Sequence, residues 1–343
     1  MSRRRALAQY LAARLALAPL MLWLIATLVF LLLRLAPGDP IDALLGTRAP
    51  EAARAALRSR LGLDQPLWQQ YGGFLRDLLR GDLGTSLTNQ DPVSTVIGQT
   101  LPASLELGSV ALILAAVVGL AVGFSGIARP EGKLDLAGRL YGIGTYALPP
   151  FWAAMVVQLI FAVWLGWLPV GGRFPPTLLP PEGSGFYLLD SLRSGLHSGD
   201  WQALLGTVRH LTLPAGTLAL LLSGIFANAL RLNLRRSLAS DYVEAARSRG
   251  LGEARVVLRH ALPNALLPVL TITGITVASL IGGALLIEVT YSWPGIAYRL
   301  QEAISQRDYP LVQGIVVVVA ALVVLVTVTV DVLVALLDPR IRF

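Results

Sequence analysis

The chain has 343 residues, 55% of them hydrophobic and only 14% charged, with a mean hydropathy of +0.64. Soluble domains are about a quarter charged, so an ordinary soluble globular protein is excluded. Cysteine is absent, which excludes disulfides, thiolate catalysis and Cys-ligated metal, and the formal net charge of +7 has meaning only once it is located along the chain.

A helix needs about 20 apolar residues to cross a hydrocarbon core of about 30 Å. Six windows qualify: Leu15–Leu33, Leu107–Ala128, Leu140–Gly172, Leu211–Leu230, Ala261–Ile287 and Tyr309–Val330. They do not alternate in polarity, so they predict helices rather than barrel strands. The first follows the basic start "MSRRR" but is longer than a signal-peptide core and precedes no A-x-A site, and it reads as an uncleaved helix. Between Ala36 and Pro102 lies a long loop. Its helical patterns open near Pro50 and Pro66 and stop at Gly62 and near Gly81, which predicts a small helical extracytoplasmic subdomain. Pro149-Pro150 should kink the third window, whose length takes in non-membrane residues at its end. The loop from Gly166 to His210 is first rich in Pro and Gly, then helical at "FYLLDSLRSGL". The expected fold is all-α and polytopic, with six transmembrane helices. Its parts are residues 1–35, the subdomain 36–102 and a core 103–343 carrying a cytoplasmic loop, 231–264.

In the fifth window Gly274, Ala278 and Gly282 recur at i, i+4, i+8, with Ser279 and Gly283 beside them. Small residues at this spacing let helix backbones approach closely in lipid. Tight packing is the first reading. A smooth wall of a translocation path is the second, with Asn228, Thr271, Gly274, Ala278 and Ser279 as its candidate residues.

With the N-terminus inside, the inner segments hold sixteen basic residues against six acids: Arg3, Arg4, Arg5, Arg14, Arg129, Lys133, Arg139, the seven arginines from Arg231 to Arg259, Arg340 and Arg342. The outer loops hold more acids than bases. Cytoplasmic loops carry the Lys/Arg excess, so both termini are expected in the cytoplasm. The surplus charge is a topology signal, and no aromatic-interleaved basic patch points to nucleic acid.

Catalytic chemistry is not visible. The only lysine, Lys133, lies in "GIARPEGKL", where a phosphate-binding loop would need Gly at Ile127 and Ser or Thr at Leu134. His197, His210 and His260 form no metal-binding pair, and no GxSxG elbow occurs. Glu106 and Glu288 sit at outer helix ends and Asp331 near an inner one, where capping or snorkelling is expected. No catalytic residue, metal or cofactor is expected.

The most punctuated polar segment is "DYVEAARSRGLGEARVVLRHALPNALLP", residues 241–268. Asp241 and Glu244, with Ser240 as neighbouring cap, suggest a capping box. Gly250 is placed to end the helix in the left-handed region, with Leu251 available for the Schellman contact. A second helix, "EARVVLRHAL", leads to Pro263 and into the fifth window. The first helix is too short to be stable alone in water and must be held against something. Tyr242, Ala245, Ala246 and Arg249 share one side, a low-relief face suited to a protein partner rather than to lipid headgroups.

Glu244, Ala245, Ala246, Gly250 and the later Leu262-Pro263 resemble the EAA loop of ABC importer permeases, although His260 stands where many carry an aliphatic residue. "LAPGDP" at 35–40, "LGLDQPLWQQY" at 61–71, "GDLGTS" at 81–86, "RDYP" at 307–310 and "DPR" at 338–340 are similar to the first permease subunit of the branch importing oligopeptides, dipeptides and nickel chelates. The resemblance implies an inner-membrane subunit, bacterial or archaeal, without enzymatic activity of its own. It also implies a coupling helix that seats Tyr242, Glu244, Ala245, Ala246, Gly250 and Leu251 against an ATPase. The implied partners are a homologous second permease subunit, two cytoplasmic ATP-binding subunits, an extracytoplasmic solute-binding protein and membrane lipid. Peptides lead as solutes, with nickel, glutathione-like peptides and oligosaccharides as alternatives. An ion-coupled secondary transporter would need charges near the midplane, which are scarce here.

Overall fold

A computed structural model describes residues 3–36, 38, 40–46, 49–127 and 132–337. Pro37 and Asp39 of "LAPGDP" and the whole of "DPR" lie outside the described residues. In chain order the helices are α1 (Arg3–Leu35), α2 (Pro40–Leu45), α3 (Glu51–Arg60), α4 (Leu67–Leu79) and α5 (Val93–Ser125). Then come α6 (Lys133–Ala147), α7 (Pro150–Gln158), α8 (Tyr187–Ser198), α9 (Gln202–Leu238) and α10 (Asp241–Ser248). The last are α11 (Glu253–Arg255), α12 (Leu262–Thr290), α13 (Ile296–Ser305) and α14 (Tyr309–Leu337). Two π-helical segments, Leu159–Trp164 and Val256–Ala261, follow α7 and α11.

Five helical stretches are long and apolar enough to cross a membrane: Ala16–Leu35, Val93–Ser125, Gln202–Leu238, Glu253–Val277 and Tyr309–Leu333. The sixth expected span differs from a kinked helix. Lys133–Ala147 and Pro150–Trp164 meet at 103°, a broken crossing or a re-entrant turn. The cause is the double proline. Leu148 (φ −74°, ψ 123°) and Pro149 (φ −62°, ψ 128°) are both extended, as residues preceding proline prefer, and Pro150 then opens a new helix. The described chain is helical and polytopic, with five spans or six.

The chain divides into two compact units. One comprises Arg14–Ser104 and Pro294–Val324. Its core is built from Val29, Val93, Val96, Ile97, Ile296, Ala303, Leu311, Val312 and Ile315. Helices α3 and α4 end as the sequence predicts. Gly62 (φ 65°) and Gly81 (φ 77°) adopt the left-handed region, and Leu63 N reaches back to Arg58 O at 2.9 Å and Asp82 N to Asp77 O at 2.9 Å. Helix α4 packs on α1 through Phe30, whose ring lies 5.2 Å from Tyr71 and 5.7 Å from Phe74. Arg34 donates to Gln70 Oε1 at 2.9 Å, and its guanidinium stacks over Phe30 and Tyr309.

The other unit holds Leu105–Trp293 and the chain ends, Met1–Ala13 and Leu325–Phe343. Helix α9 is its central post, buried along most of its length. Two GxxxG pairs meet it: Gly119 and Gly123 of α5 lie against Ser223, Phe226 and Ala227, and Gly138 and Gly142 of α6 lie against Arg231 and Asn228. A Cβ on Gly123 would stand 2.7 Å from Ala227 O. Close backbone approach is the packing currency of helices in lipid, where no hydrophobic force draws them together. These pairs stand in the sequence as "GLAVG" and "GRLYG".

Candidate functional site: the loop between α9 and α12

Helix α9 ends at Leu238, and Ser240 (φ −92°, ψ 152°) turns the chain into α10. The capping box does not form. The Ser240 hydroxyl donates backwards to Ser237 O, and no side chain caps α10. Asp241 and Glu244 still lie in the first turn, where the helix dipole favours negative charge.

What holds α10 is this chain itself. Val243 is fully buried and Ala246 is 6% exposed, in one core with Phe226, Leu230 and Leu234 of α9, with Val256 and Ala261 of the π-helical segment, and with Ala265 and Val269 of α12. Leu251 packs against the same core. Ala246 therefore does not belong to an outward face with Tyr242 and Ala245. The core side of a helix this short is set by Val243 and Ala246, three residues apart, and the periodicity of the small residues alone misassigned it. Glu244, Ala245, Ser248 and Arg249 are exposed, and Tyr242 is at the edge.

A polar node fixes the junction. The Tyr242 hydroxyl bonds to Ser237 Oγ, which in turn donates to Ala261 O at 2.9 Å, tying α9, α10 and the π-helical segment at one point. The far end of α10 is a complete Schellman turn. Gly250 has φ 77°, its N–H donates to Arg247 O at 2.9 Å, and Leu251 N donates to Ala246 O at 3.4 Å. Arg247 then clasps Glu253 across the turn with two bonds, Nε to Oε2 at 3.1 Å and Nη2 to Oε1 at 2.6 Å. The hydrogen bonds that Arg247 donates to Glu253 raise its pKa above the ordinary value. Exposed pairs of this kind contribute little stability.

The second helix of the loop is not one regular helix. Glu253–Arg255 widens into the π-helical turn Val256–Ala261 before α12, in which Pro263 occupies the first turn. A proline ring displaces the carbonyl four residues earlier, and i→i+5 bonding absorbs that displacement.

The path candidates fare unequally. Asn228 and Thr271 are exposed on α9 and α12. Gly274 is buried against Val330 of α14, where a Cβ would stand 2.7 Å from Cγ1, which agrees with the packing reading of this stripe. The side chains of Ala278 and Ser279 lie outside the described residues, as do those of Gly282 and Gly283. Among the described residues, no group of three or more His, Asp or Glu could hold a metal ion.

Glu106 caps a helix, but not its own, and it does not snorkel. It is 3% exposed; Oε2 accepts from Arg173 Nη2 at 2.7 Å and Nε at 3.2 Å, and Oε1 accepts from Leu188 N in the first turn of α8 at 2.6 Å. Arg173 also donates to Gly185 O at 2.6 Å and stacks 3.9 Å from the Tyr187 ring centroid. Glu288 is likewise buried, at 0% exposure, rather than snorkelling. Arg173 was missed because a single arginine in "VGGRFPP" carries no sign that it will be buried.

A bundle of broken and unbroken apolar helices, bearing a short polar helix keyed into its core, defines a polytopic helical membrane protein. Residues 96–343 match the family of binding-protein-dependent transport system inner membrane components, and residues 7–108 match the N-terminal family of the same membrane components. The chain belongs to this family. It is 40% identical over 335 residues to the di/tripeptide transport system permease protein DppB of Pseudomonas aeruginosa, covering 97% of this chain and 98% of that one. It is 38% identical over 314 residues to the dipeptide transport system permease protein DppB of Alkalihalophilus pseudofirmus, covering 92% and 93%. Among solved structures, the inward-facing MetNI methionine ABC transporter superposes with a TM-score of 0.52 at 16% identity, covering 71% of this chain and 97% of that chain. This chain is thus a multi-pass inner-membrane permease subunit of an ABC transporter, one that works with an ATPase and a binding protein.

Proposed function

We propose that this subunit forms half of a pathway for di- and oligopeptides. A homologous second permease completes it, two cytoplasmic ATP-binding subunits drive it, and an extracytoplasmic solute-binding protein delivers the peptide. The peptide class rests on the substrates named for the relatives, and the coupling role rests on one observation. Helix α10 is keyed by Val243 and Ala246 into the core it shares with α9 and α12. A densely packed core passes on displacement rather than absorbing it. A partner that moves α10 through Glu244, Ala245 and Arg249 thereby moves both spans, while Gly250 and Leu251 fix the turn. Residues 36–102 lie outside and contribute to docking of the binding protein; both termini and α10 lie in the cytoplasm. Asn228 and Thr271 remain path candidates.

Two measurements test this reading. In vesicles holding the whole transporter with its binding protein, labelled dipeptide uptake should require ATP; uptake driven by an ion gradient alone would sink the proposal. Because the chain has no cysteine, single cysteines report topology cleanly. In right-side-out vesicles an impermeant reagent should label position 70 and not position 247, and the reverse pattern would invert the topology.

A further inference from the structure

A second charged constellation lies where α6 begins and α9 ends, apart from the residues assigned to coupling above. Asp135, in the first turn of α6, is 1% exposed. Its Oδ2 pairs with Arg139 Nη2 at 2.6 Å, and its Oδ1 pairs with Arg235 Nη2 at 2.7 Å. Arg231, 6% exposed, donates from Nη1 to Asp135 O at 2.9 Å and stands 3.6 Å from Oδ1. Its guanidinium occupies the space left by the missing side chain of Gly138. Among the described residues of the cluster, three guanidiniums face one carboxylate, a net charge of +2.

That imbalance has a direction. One carboxylate holds Arg139 and Arg235 on its two oxygens, so two like charges are kept close together with only partial neutralisation. Each guanidinium carries five N–H donors in a fork suited to carboxylate or phosphate. The Arg139 and Arg235 side chains are 45% and 43% exposed, so donors not turned to Asp135 can reach the surface. Lys133 and Arg236 are exposed nearby in sequence and add positive potential. Directly beside Arg139 runs an exposed apolar stripe on the same helix, Leu136, Leu140 and Ile143 at i, i+4, i+7, and Leu232 is exposed on α9. Cationic donors adjoining an apolar stripe match the two ends of one kind of molecule.

We propose that this cluster binds the phosphodiester headgroup of an anionic phospholipid, with an acyl chain along Leu136, Leu140 and Ile143. The cytoplasmic leaflet is assigned from the topology proposed above, and the site rests on that reading only for its leaflet. Basic pockets between membrane helices attract such headgroups, each nearby Lys or Arg favouring binding by a factor of about five. Asp135 acts as the positioning residue, holding two guanidiniums in register for a phosphate that neither could fix alone.

The test uses the complete transporter in nanodiscs of phosphatidylcholine with a small fraction of spin-labelled phosphatidylglycerol. The bound fraction gives the preference for the anionic lipid. Wild type should show that preference, and Arg139→Gln and Arg235→Gln should each lower it about fivefold, since both keep a hydrogen bond to Asp135 but lose the charge. Arg139→Lys should retain most of it, and Arg255→Gln, on exposed α11, should not change it. Unchanged melting of the variants in pure phosphatidylcholine discs separates loss of the site from loss of the fold. A double glutamine variant with wild-type lipid preference overturns the proposal. So does inorganic phosphate in the millimolar range displacing the labelled lipid completely, which would make this a free-anion site. Loss of the ATPase or second permease on purification, with lipid preference unchanged, would make it a protein interface. A cysteine at position 139 reports the leaflet separately, so a wrong topology and a missing lipid site give different results.

Discussion

Ser86 and Asp308 are 222 residues apart in the chain and share a buried hydrogen bond of 2.5 Å from Oγ to Oδ2. The same carboxylate accepts from Thr88 N at 3.2 Å and, through Oδ1, from Leu311 N at 3.2 Å, capping α14. The stretches "GDLGTS" and "RDYP" are thus two halves of one structure. Arg307 (φ 56°) ends α13 in a left-handed turn and fills the space over Gly38, which brings the glycine of "LAPGDP" to the same place. Three of the stretches outside the α10 loop thus supply residues to one joint within a single compact unit.

Removing the Asp308 carboxylate should therefore loosen that joint. Net contributions of hydrogen bonds to a charged group run to about 1.5–3 kcal/mol, so Asp308→Ala should cost roughly 3 kcal/mol or more and Ser86→Ala roughly 1–2 kcal/mol. The double variant should cost less than the sum by about 1 kcal/mol, because the two changes remove one shared bond. Unfolding of the purified subunit by thermal or chemical denaturation measures all three. Additive costs would mean that the pair is not coupled.

The Glu106–Arg173 pair makes a sharper prediction because both partners are nearly inaccessible to water. Breaking a buried pair by removing one member costs about 3–5 kcal/mol, since the survivor is left charged and unpaired. Glu106→Gln should release the loop around Gly185 and fray the start of α8, where Leu188 N loses a charged acceptor. Limited proteolysis between residues 178 and 190 should speed up markedly in this variant. Adding Arg173→Met should restore part of the protection. Equal cleavage in wild type and Glu106→Gln would show that the pair does not pin the loop.

The spans, the two Schellman stops at Gly62 and Gly81, and the left-handed Gly250 were legible because each depends on local chemistry. Apolar length, a glycine after a helical run, and proline placement act over a few residues. The break at Pro149-Pro150 was legible in position but not in size, because the 103° angle depends on how the second half repacks. The partners of Glu106 and Asp135 were not legible. Apart from Arg139, four residues on from Asp135, those carboxylates find arginines 67 and 96–100 residues away, and no local pattern marks which distant cation will reach them. Ala246 failed for a related reason. A helical repeat gives the angle between residues but not which face meets the core, and Val243 decides that here.

That correction separates two substitutions that looked alike from the sequence. Ala246→Asp places a carboxylate in this chain's own core among Leu230, Leu234 and Val256, at a cost of several kcal/mol for an unpaired buried charge. It should detach α10 and lower the stability of the subunit itself. Ala245→Asp falls on the exposed side, where the isolated subunit should tolerate it within about 0.5 kcal/mol. In the proposed complex the same aspartate is desolvated against the ATPase. The expected outcome is a normally folded subunit that no longer retains the ATP-binding subunits on purification. Full retention and full uptake with Ala245→Asp would remove α10 from the coupling interface.

Gly250 offers the cleanest test of the turn, because conformation and space are separable there. A Cβ at this position meets nothing within 4 Å, so no side chain is excluded by crowding. What remains is φ at 77°, a region that costs an ordinary L-residue roughly 1–2 kcal/mol, more for a β-branched one, and that asparagine tolerates best. Gly250→Val should therefore disturb the Schellman bonds to Arg247 and Ala246, while Gly250→Asn should retain them. Neither residue is in a span, so insertion and expression should match wild type for both. Peptide uptake should fall strongly for valine and mildly for asparagine, with Gly250→Ala between them. A ranking by side-chain size instead, with asparagine as damaging as valine, would mean that a partner occupies the open space beside Gly250 and that contact, not backbone geometry, is the constraint.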